Sequence, residues 1–393
     1  MEEKLYFDYN ATTPCDPLVV DAMLPFLSTD FGNVSSIHHS FGWIAKEAVE
    51  TSTQKMAHAL NISADSIIYT SGSTEGINMV LKSFCQKYKP HGNHIITCKT
   101  EHKAVLDTCA FMEKYEGVSV TYLDVDASGL VNLDQLKAAI RPETILVSIM
   151  YANNETGVIQ PLQDIARIIA NQGIFLFSDA TQALGKTSLD QVFEQVDFAC
   201  FSAHKVYGPK GMGMVYCKTG RASAVLQSLI QGGGQQKGWR GGTINTPGII
   251  GFAKAVELCC KNLEKETIRL TRLRNQLEQG LLQIEMSYSN GLSAPRLPNT
   301  CNISFAYVNG AGLLRALSKY MAVSNGSACN SASENPSHVL VAMDIAPGLA
   351  FSSLRFSLGK QSTEKDIHDA IAIVRHEVNL LRDGNILWER KKG

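Results

Sequence analysis

No run of apolar residues in the 393-residue sequence approaches the ~18–20 that a membrane helix needs, so no spanning segment is expected. The N-terminus, Met-Glu-Glu-Lys-Leu-Tyr-Phe-Asp, lacks an apolar stretch of the kind a signal peptide carries. The ten cysteines include no C-x-x-C pair. The one close pair, Cys259-Cys260, falls in a helical pattern. Thiols without spacing logic exclude a disulfide framework and point to a reducing compartment, so a cytoplasmic protein is expected. An excess of charge is also missing. Lys+Arg number 36 and Asp+Glu 37, a formal net charge of -1. A neutral chain offers no bulk attraction to a polyanion, which argues against direct nucleic-acid binding. Internal repeats, low-complexity segments and metal-ligand spacings are absent.

What remains is an ordinary globular composition, 45% hydrophobic and 19% charged. Short apolar runs alternate with helical patterns from Ser66 to Cys217. Strands are expected near 66–71, 94–98, 118–123, 144–149, 174–178, 198–202 and 213–217, with helices between most of them. Such alternation predicts an α/β fold with a largely parallel sheet covered on both faces. After Pro247 the pattern changes. Two helices are expected at about 248–264 and 267–284. A strand is expected at 302–305, a helix at 311–319, a strand at 353–357 and a terminal helix opened by Thr363-x-x-Asp366. Residues from about 260 onward, joined by the N-terminal strand, read as a smaller α+β domain.

Ligands of parallel sheets sit beyond the carboxyl ends of the strands. The residues there are Ser71-Gly72-Ser73-Thr74, Thr100-Glu101-His102, Asn153-Asn154, Asp179-Ala180-Thr181-Gln182 and Ser202-Ala203-His204-Lys205. All five tips are chemically capable. Lys205 is either a solvated loop lysine or an amine nucleophile. A free lysine at pH 7 is about 3.4 units below its pKa, so a pocket must supply roughly 4.6 kcal/mol to free the amine. Asp179 either caps the next helix or pairs with a protonated ring nitrogen. Together, Lys205 and Asp179 suit pyridoxal phosphate, whose aldehyde takes a lysine and whose ring nitrogen takes an acid. Ser73 and Thr74 are either an N-cap or part of a phosphate cradle. His102 is either solvated or stacked on a ring. Arg355, a cation on an apolar strand, suits a carboxylate grip. Cys329 lies in the small, polar stretch Val323 to Ser333, which predicts a mobile loop. It is either an incidental thiol or a presented nucleophile.

The chain resembles the cysteine desulfurases of the NifS/IscS type, fold-type I pyridoxal phosphate enzymes of the class-V aminotransferase family. The resemblance covers nearly the whole chain. Its motifs come in the family's order: Tyr6 to Pro14, Gly32 to His38, Ser71 to Glu75, Glu101-His102, Asn153 to Gly157, Asp179 to Gln182, Ser202 to Lys205, Arg240 to Thr243, Gly326 to Cys329 and Arg355 to Ser357. It implies a large cofactor-binding domain over 15–259 with a mostly parallel seven-stranded sheet. The small domain would comprise 1–14 and 260–393 and carry the cysteine loop. It implies that Lys205 holds the cofactor, that His102 stacks on the ring and helps proton transfer, and that Asp179 and Gln182 meet the ring nitrogen and ring oxygen. Ser73, Thr74, Ser202 and His204 would hold the phosphate, with Thr243 reaching it from the other subunit of a homodimer. Asn154, near the cofactor, and Arg355 would bind the substrate carboxylate. Cys329 would take the sulfur of L-cysteine, leaving L-alanine. The persulfide would pass to an acceptor protein, such as an iron–sulfur scaffold or a tRNA-thiolation enzyme. Selenocysteine lyase and ordinary class-V aminotransferase are the alternatives. The long loop around Cys329 is similar to that of the first of the family's two groups.

Overall fold

The computed structural model describes residues 4–325, 336–383 and 385–392. A short strand, β1 (Leu5–Tyr6), precedes the seven strands of the main sheet. These are β2 (Ile67–Thr70), β3 (His94–Cys98), β4 (Ser119–Leu123), β5 (Thr144–Ser148), β6 (Phe175–Asp179), β7 (Phe198–Ser202) and β8 (Gly213–Cys217). Their spatial order is β2-β8-β7-β6-β5-β3-β4. Neighbours pair in parallel except around β8, which runs antiparallel between β2 and β7. The α/β sheet expected from the sequence is therefore present, with one strand reversed.

Parallel strands need crossover connections, and these cover both faces of the sheet. β2, β3 and β5 to β8 are accordingly buried at every position, whereas β4, at one edge, buries only Leu123. The other edge, β2, is closed by a side chain. Gln236 accepts from the Tyr69 amide at 2.7 Å and donates to the Tyr69 carbonyl at 2.9 Å, as a further strand would. Helix α1 (Ser73–Lys87) crosses one face. Its Phe84 meets Phe175 and Phe198 edge to face, with ring centroids 5.2 and 5.9 Å apart. Burial of each such ring contributes ~1.5–3 kcal/mol.

Helix α2 (Thr246–Lys261) leads into α3 (Leu263–Leu282) and a second, smaller layer. There β9 (Ser287–Ser289), β10 (Thr300–Phe305) and β12 (Ser353–Ser357) form an antiparallel sheet with β10 in the middle. β11 (Met321–Ala322) pairs in parallel with β1, and Asp8 bridges to Ser357. The N-terminal strand thus packs with the C-terminal layer, and Phe7 and Phe356 rings meet at 6.4 Å. Helix α4 (Glu364–Asp383) closes this layer. Ile367, Ala370, Val374 and Val378 are buried, while Ile371 and Leu381 pack at the margin. The expected capping box forms reciprocally: the Thr363 amide donates to Asp366 at 2.8 Å and the Asp366 amide donates to Thr363 Oγ1 at 3.2 Å. Among the described residues no helix is long and apolar enough to cross a membrane.

His94, which opens β3, is fully buried with both ring nitrogens on threonine hydroxyls: Thr144 at 2.7 Å and Thr121 at 2.8 Å. Burial, aided by the charge of Arg141, pushes its pKa down to about 4. The unfolded chain takes up that proton near pH 6.5 and the folded chain does not. The contribution to stability is therefore complete above about pH 6.5 and declines as the pH falls towards 4. His94→Gln should melt lower than wild type at pH 7.5, because threonine hydroxyls lose partners, at a cost of ~1–3 kcal/mol. It should also lose less further stability between pH 7.5 and 5. An equal loss in both proteins over that window would refute the assignment.

Candidate active site

The tips of β2, β3, β6 and β7, and the turn after β5, converge at one edge of the sheet. There they line a cavity of about 570 Å³, within the range of small-molecule sites. Ser73, Thr74, His102, Asn154, Asp179, Gln182, Ser202, His204, Lys205 and Arg355 all line it. The convergence follows from topology. Six strands point the same way, so their carboxyl ends share one edge.

One end of the cavity is a helix N-terminus. Gly72 is the N-cap of α1, and no side chain caps it. First-turn amides left without a side-chain cap, beside the hydroxyls of Ser73, Thr74 and Ser202, are a donor set for a phosphate. The turn reaches this position because β8 begins with Gly213. A Cβ at Gly213 would lie 2.6 Å from the Gly72 Cα. His204, also at this end, has Nδ1 3.1 Å from Thr12 Oγ1. Burial, then the charges of Lys205, Lys210 and Lys186, push its pKa down to about 4, so the ring is neutral at pH 7.

The loop behind the phosphate end is braced by charge. Glu75 accepts from the Ser71 amide at 2.8 Å and from Arg240 Nε at 3.0 Å. This ties the Arg240-Gly241-Gly242-Thr243 stretch to the start of α1. Thr243 itself is exposed and does not line the cavity of its own chain.

Lys205 sits on the short turn after β7, half-buried, and donates to the carbonyls of Asn10 and Ala11, each at 2.7 Å. Asp179 is 7% exposed. Its Oδ1 accepts from the Thr181 amide at 3.0 Å. It therefore makes the local turn and also lines the cavity. Thr181 in turn links to Ser73, hydroxyl to hydroxyl, at 2.6 Å. His102 Nδ1 accepts from the Ala104 amide at 3.1 Å. That bond caps the next helix and places the ring proton on Nε2. An amine, a buried carboxylate, a tautomer-fixed imidazole and a phosphate cradle in one cavity match the functional groups of pyridoxal phosphate.

Arg355 is 3% exposed. Its guanidinium holds Asp8 Oδ1 at 2.5 Å and the Asn154 carbonyl at 3.1 Å, and its buried Nε has no partner. The sequence does not pair Arg355 with its carboxylate partner Asp8. Asn10, too, gains its place only in the fold. Asn10 is 1% exposed and donates to the Asn154 carbonyl at 3.1 Å and to Thr300 Oγ1 at 2.9 Å. Glu101 is fully buried, with Oε1 on the Met150 amide at 2.5 Å and Oε2 without a partner. Burial pushes its carboxyl well above the usual range, and the charge of Asp179 adds to this. The signal for Asp8 and Asn10 was their place in the N-terminal motif, and for Glu101 its place beside His102.

Cys329 lies outside the described residues. The described residues on either side of its segment bond near the cavity, to Arg355, which lines it, and to Glu101, next to His102. On one side Ser324 and Arg355 exchange backbone bonds of 3.3 and 2.6 Å. On the other, Ser337 donates to the buried Glu155, and His338 Nε2 bonds the Glu101 carbonyl at 2.9 Å.

The family described as "Aminotransferase class-V" matches residues 5–369. The cysteine desulfurase IscS of Anaeromyxobacter sp. (strain K) is 45% identical over 393 residues, spanning 100% of this chain and 96% of that protein. The cysteine desulfurase IscS of Salmonella schwarzengrund (strain CVM19633) is 45% identical over 394 residues, with 100% and 97% covered. Among solved structures, a NifS-like protein superposes with a TM-score of 0.89 at 36% identity, covering 96% of this chain and 100% of that one. A structure described as SspA in complex with cysteine gives 0.77 at 35% identity, covering 91% and 99%. The chain belongs to the class-V aminotransferase family and, within it, to the cysteine desulfurases of the IscS type.

Proposed function

We propose that this protein is a pyridoxal phosphate-dependent cysteine desulfurase, converting L-cysteine to L-alanine and leaving the sulfur on Cys329 as a persulfide. The observation that carries the reading is the convergence of Lys205, Asp179, His102, Asn154 and Arg355 on one cavity that ends in the uncapped start of α1. The similarity to SspA, described in complex with cysteine, supports cysteine as substrate.

Bound here, pyridoxal phosphate supplies an electron sink for the α-carbon of the amino acid. The phosphate would be held by the amides of the first turn of α1, with Ser73, Thr74, Ser202 and His204. Asp179 would take the ring N–H, Gln182 would meet the ring oxygen, and His102, with its proton on Nε2, would cover a ring face. Lys205 would hold the aldehyde carbon, and its Nζ would take the α-proton of the substrate. Asn154 and Arg355 hold the substrate carboxylate; part of Arg355 stays on Asp8, which fixes the guanidinium plane. Cys329 attacks the substrate sulfur as a thiolate. A sulfur–sulfur bond forms, the carbon–sulfur bond breaks, and its electron pair stays on carbon, which is protonated to give alanine. The sulfane sulfur then passes to an acceptor protein, such as an iron–sulfur scaffold or a tRNA-thiolation enzyme. The purified protein should be yellow and should form alanine from L-cysteine. A protein that turned over L-cysteine only in the presence of a 2-oxo acid would be an aminotransferase instead.

The active unit is a homodimer, with Thr243 of one chain reaching the phosphate held by the other. Leu24, Phe31, Phe41 and Trp43 are exposed apolar side chains, the rings of Phe31 and Phe41 5.5 Å apart, that a second copy would bury. Mixing Lys205→Ala with Thr243→Ala subunits should restore about one intact site per heterodimer. A monomeric mass in sedimentation, or no recovery on mixing, would contradict shared sites. The chain divides into a large unit over 15–259 and a small unit of 1–14 with 260–393, a reading supported by the seven-stranded sheet lying within the first, and the location is cytoplasmic.

A further inference from the structure

Behind the cavity lies a buried lysine that the chemistry above does not use. Lys186, on the turn after β6, is 7% exposed. Its Nζ donates to Gln182 Oε1 at 2.7 Å and to Asn10 Oδ1 at 3.3 Å. Gln182 Nε2 donates to the Asn10 carbonyl at 3.0 Å, the same carbonyl that receives Lys205 Nζ. Asn299 Nδ2 bonds the Asn10 side-chain oxygen at 3.1 Å.

A buried amine without a carboxylate beside it is costly, by several kcal/mol if charged. Burial, then the charges of Lys205 and Arg355, pull Lys186 well below the usual lysine range. A methionine would fill the same space without that cost. What the amine adds is direction. Its N–H groups seek oxygens, so the Gln182 amide must present Oε1 to Lys186; the flipped amide would set N–H against N–H. Even as a neutral amine, Lys186 keeps two N–H groups for its two oxygens. With Oε1 occupied and one Nε2 proton on Asn10, the amide's free group on the cavity side is an N–H.

We propose that Lys186 is a positioning residue for the cofactor, fixing the amide of Gln182 so that it offers a hydrogen-bond donor, not an acceptor, to the ring oxygen. The inference rests on the reading that Gln182 meets that oxygen. A donor there favours the anionic ring oxygen and lowers the pH at which the visible band of the bound cofactor titrates.

The test is a spectroscopic pH titration of four holoproteins: wild type, Lys186→Met, Gln182→Ala and the double variant. Lys186→Met should raise the midpoint by about 0.7 pH units, the equivalent of one ordinary hydrogen bond. Gln182→Ala should raise it at least as much, and the double variant no more than Gln182→Ala alone. An unmoved midpoint in Lys186→Met, with Gln182→Ala shifted, would overturn the role of Lys186. A shift that adds fully in the double variant would also overturn it, because Lys186 would then act through its own charge. An unmoved midpoint in Gln182→Ala would remove the ring-oxygen contact and the inference with it. Lys186→Leu serves the same comparison should methionine fail to fold in that space.

Discussion

Cys329→Ser should retain the yellow colour and the fold but form alanine from L-cysteine at least about 10³-fold more slowly, as expected for loss of a covalent nucleophile. The reason lies in what the residue must do. The attacker has to be an anion at neutral pH. A free thiol with a pKa near 8.5 is only about 3% ionised at pH 7, and a serine hydroxyl is essentially never ionised there. The substrate amine can take the thiol proton; His102, with Nδ1 engaged by the Ala104 amide and its proton on Nε2, has no free lone pair for it. The serine variant should still exchange the α-hydrogen of cysteine with D2O, because Lys205, Asp179 and Arg355 are untouched. Exchange without desulfuration would separate the two halves of the reaction. The other nine cysteines, changed singly to alanine, should leave turnover largely intact. Burial pushes several of their thiols up, Cys98 and Cys85 to about 11, Cys217 and Cys301 to about 12, so these stay protonated. Full desulfuration by Cys329→Ser would refute the persulfide route. Loss of cysteine activity with selenocysteine cleavage retained would mark the protein as a lyase for the heavier element.

Lys205→Ala should be the other near-null variant, with turnover down by ~10³-fold or more, since one residue both holds the cofactor and moves the α-proton. Here α-hydrogen exchange should disappear as well, in contrast to Cys329→Ser. Borohydride reduction of the wild-type holoprotein should fix the cofactor on Lys205. Lys210 also lines the cavity but is exposed to solvent. A label on Lys210 would sink the assignment.

Much of this was legible in the sequence for definite physical reasons. Strands buried on both faces read as largely apolar runs, so β3, β7 and β8 fall where the runs do. The polar tips after parallel strands meet because parallel strands share an edge. The direction of β8 was not legible, because an apolar run carries no information about which way it points. The contacts of Asp8 and Asn10 were not legible, because their partners lie far along the chain, Arg355 for Asp8 and Thr300 for Asn10, and only folding brings them together. By sequence Lys186 is like any lysine after a turn; in the fold it is buried against Asn10 of the N-terminal segment. Thr243 does not line the active-site cavity of its own chain, and its proposed role rests on the family resemblance and a second copy.

If sulfur leaves cysteine by way of Cys329, a single turnover must leave it there. The holoprotein is given stoichiometric L-cysteine without reductant, the alanine formed is counted, and the cysteine peptides are mapped by mass. About one alanine per site is expected, with a mass gain of one sulfur atom on the Cys329 peptide alone. Alanine formed with free sulfide released at once and no sulfur on Cys329, or sulfur found on another cysteine, would contradict it.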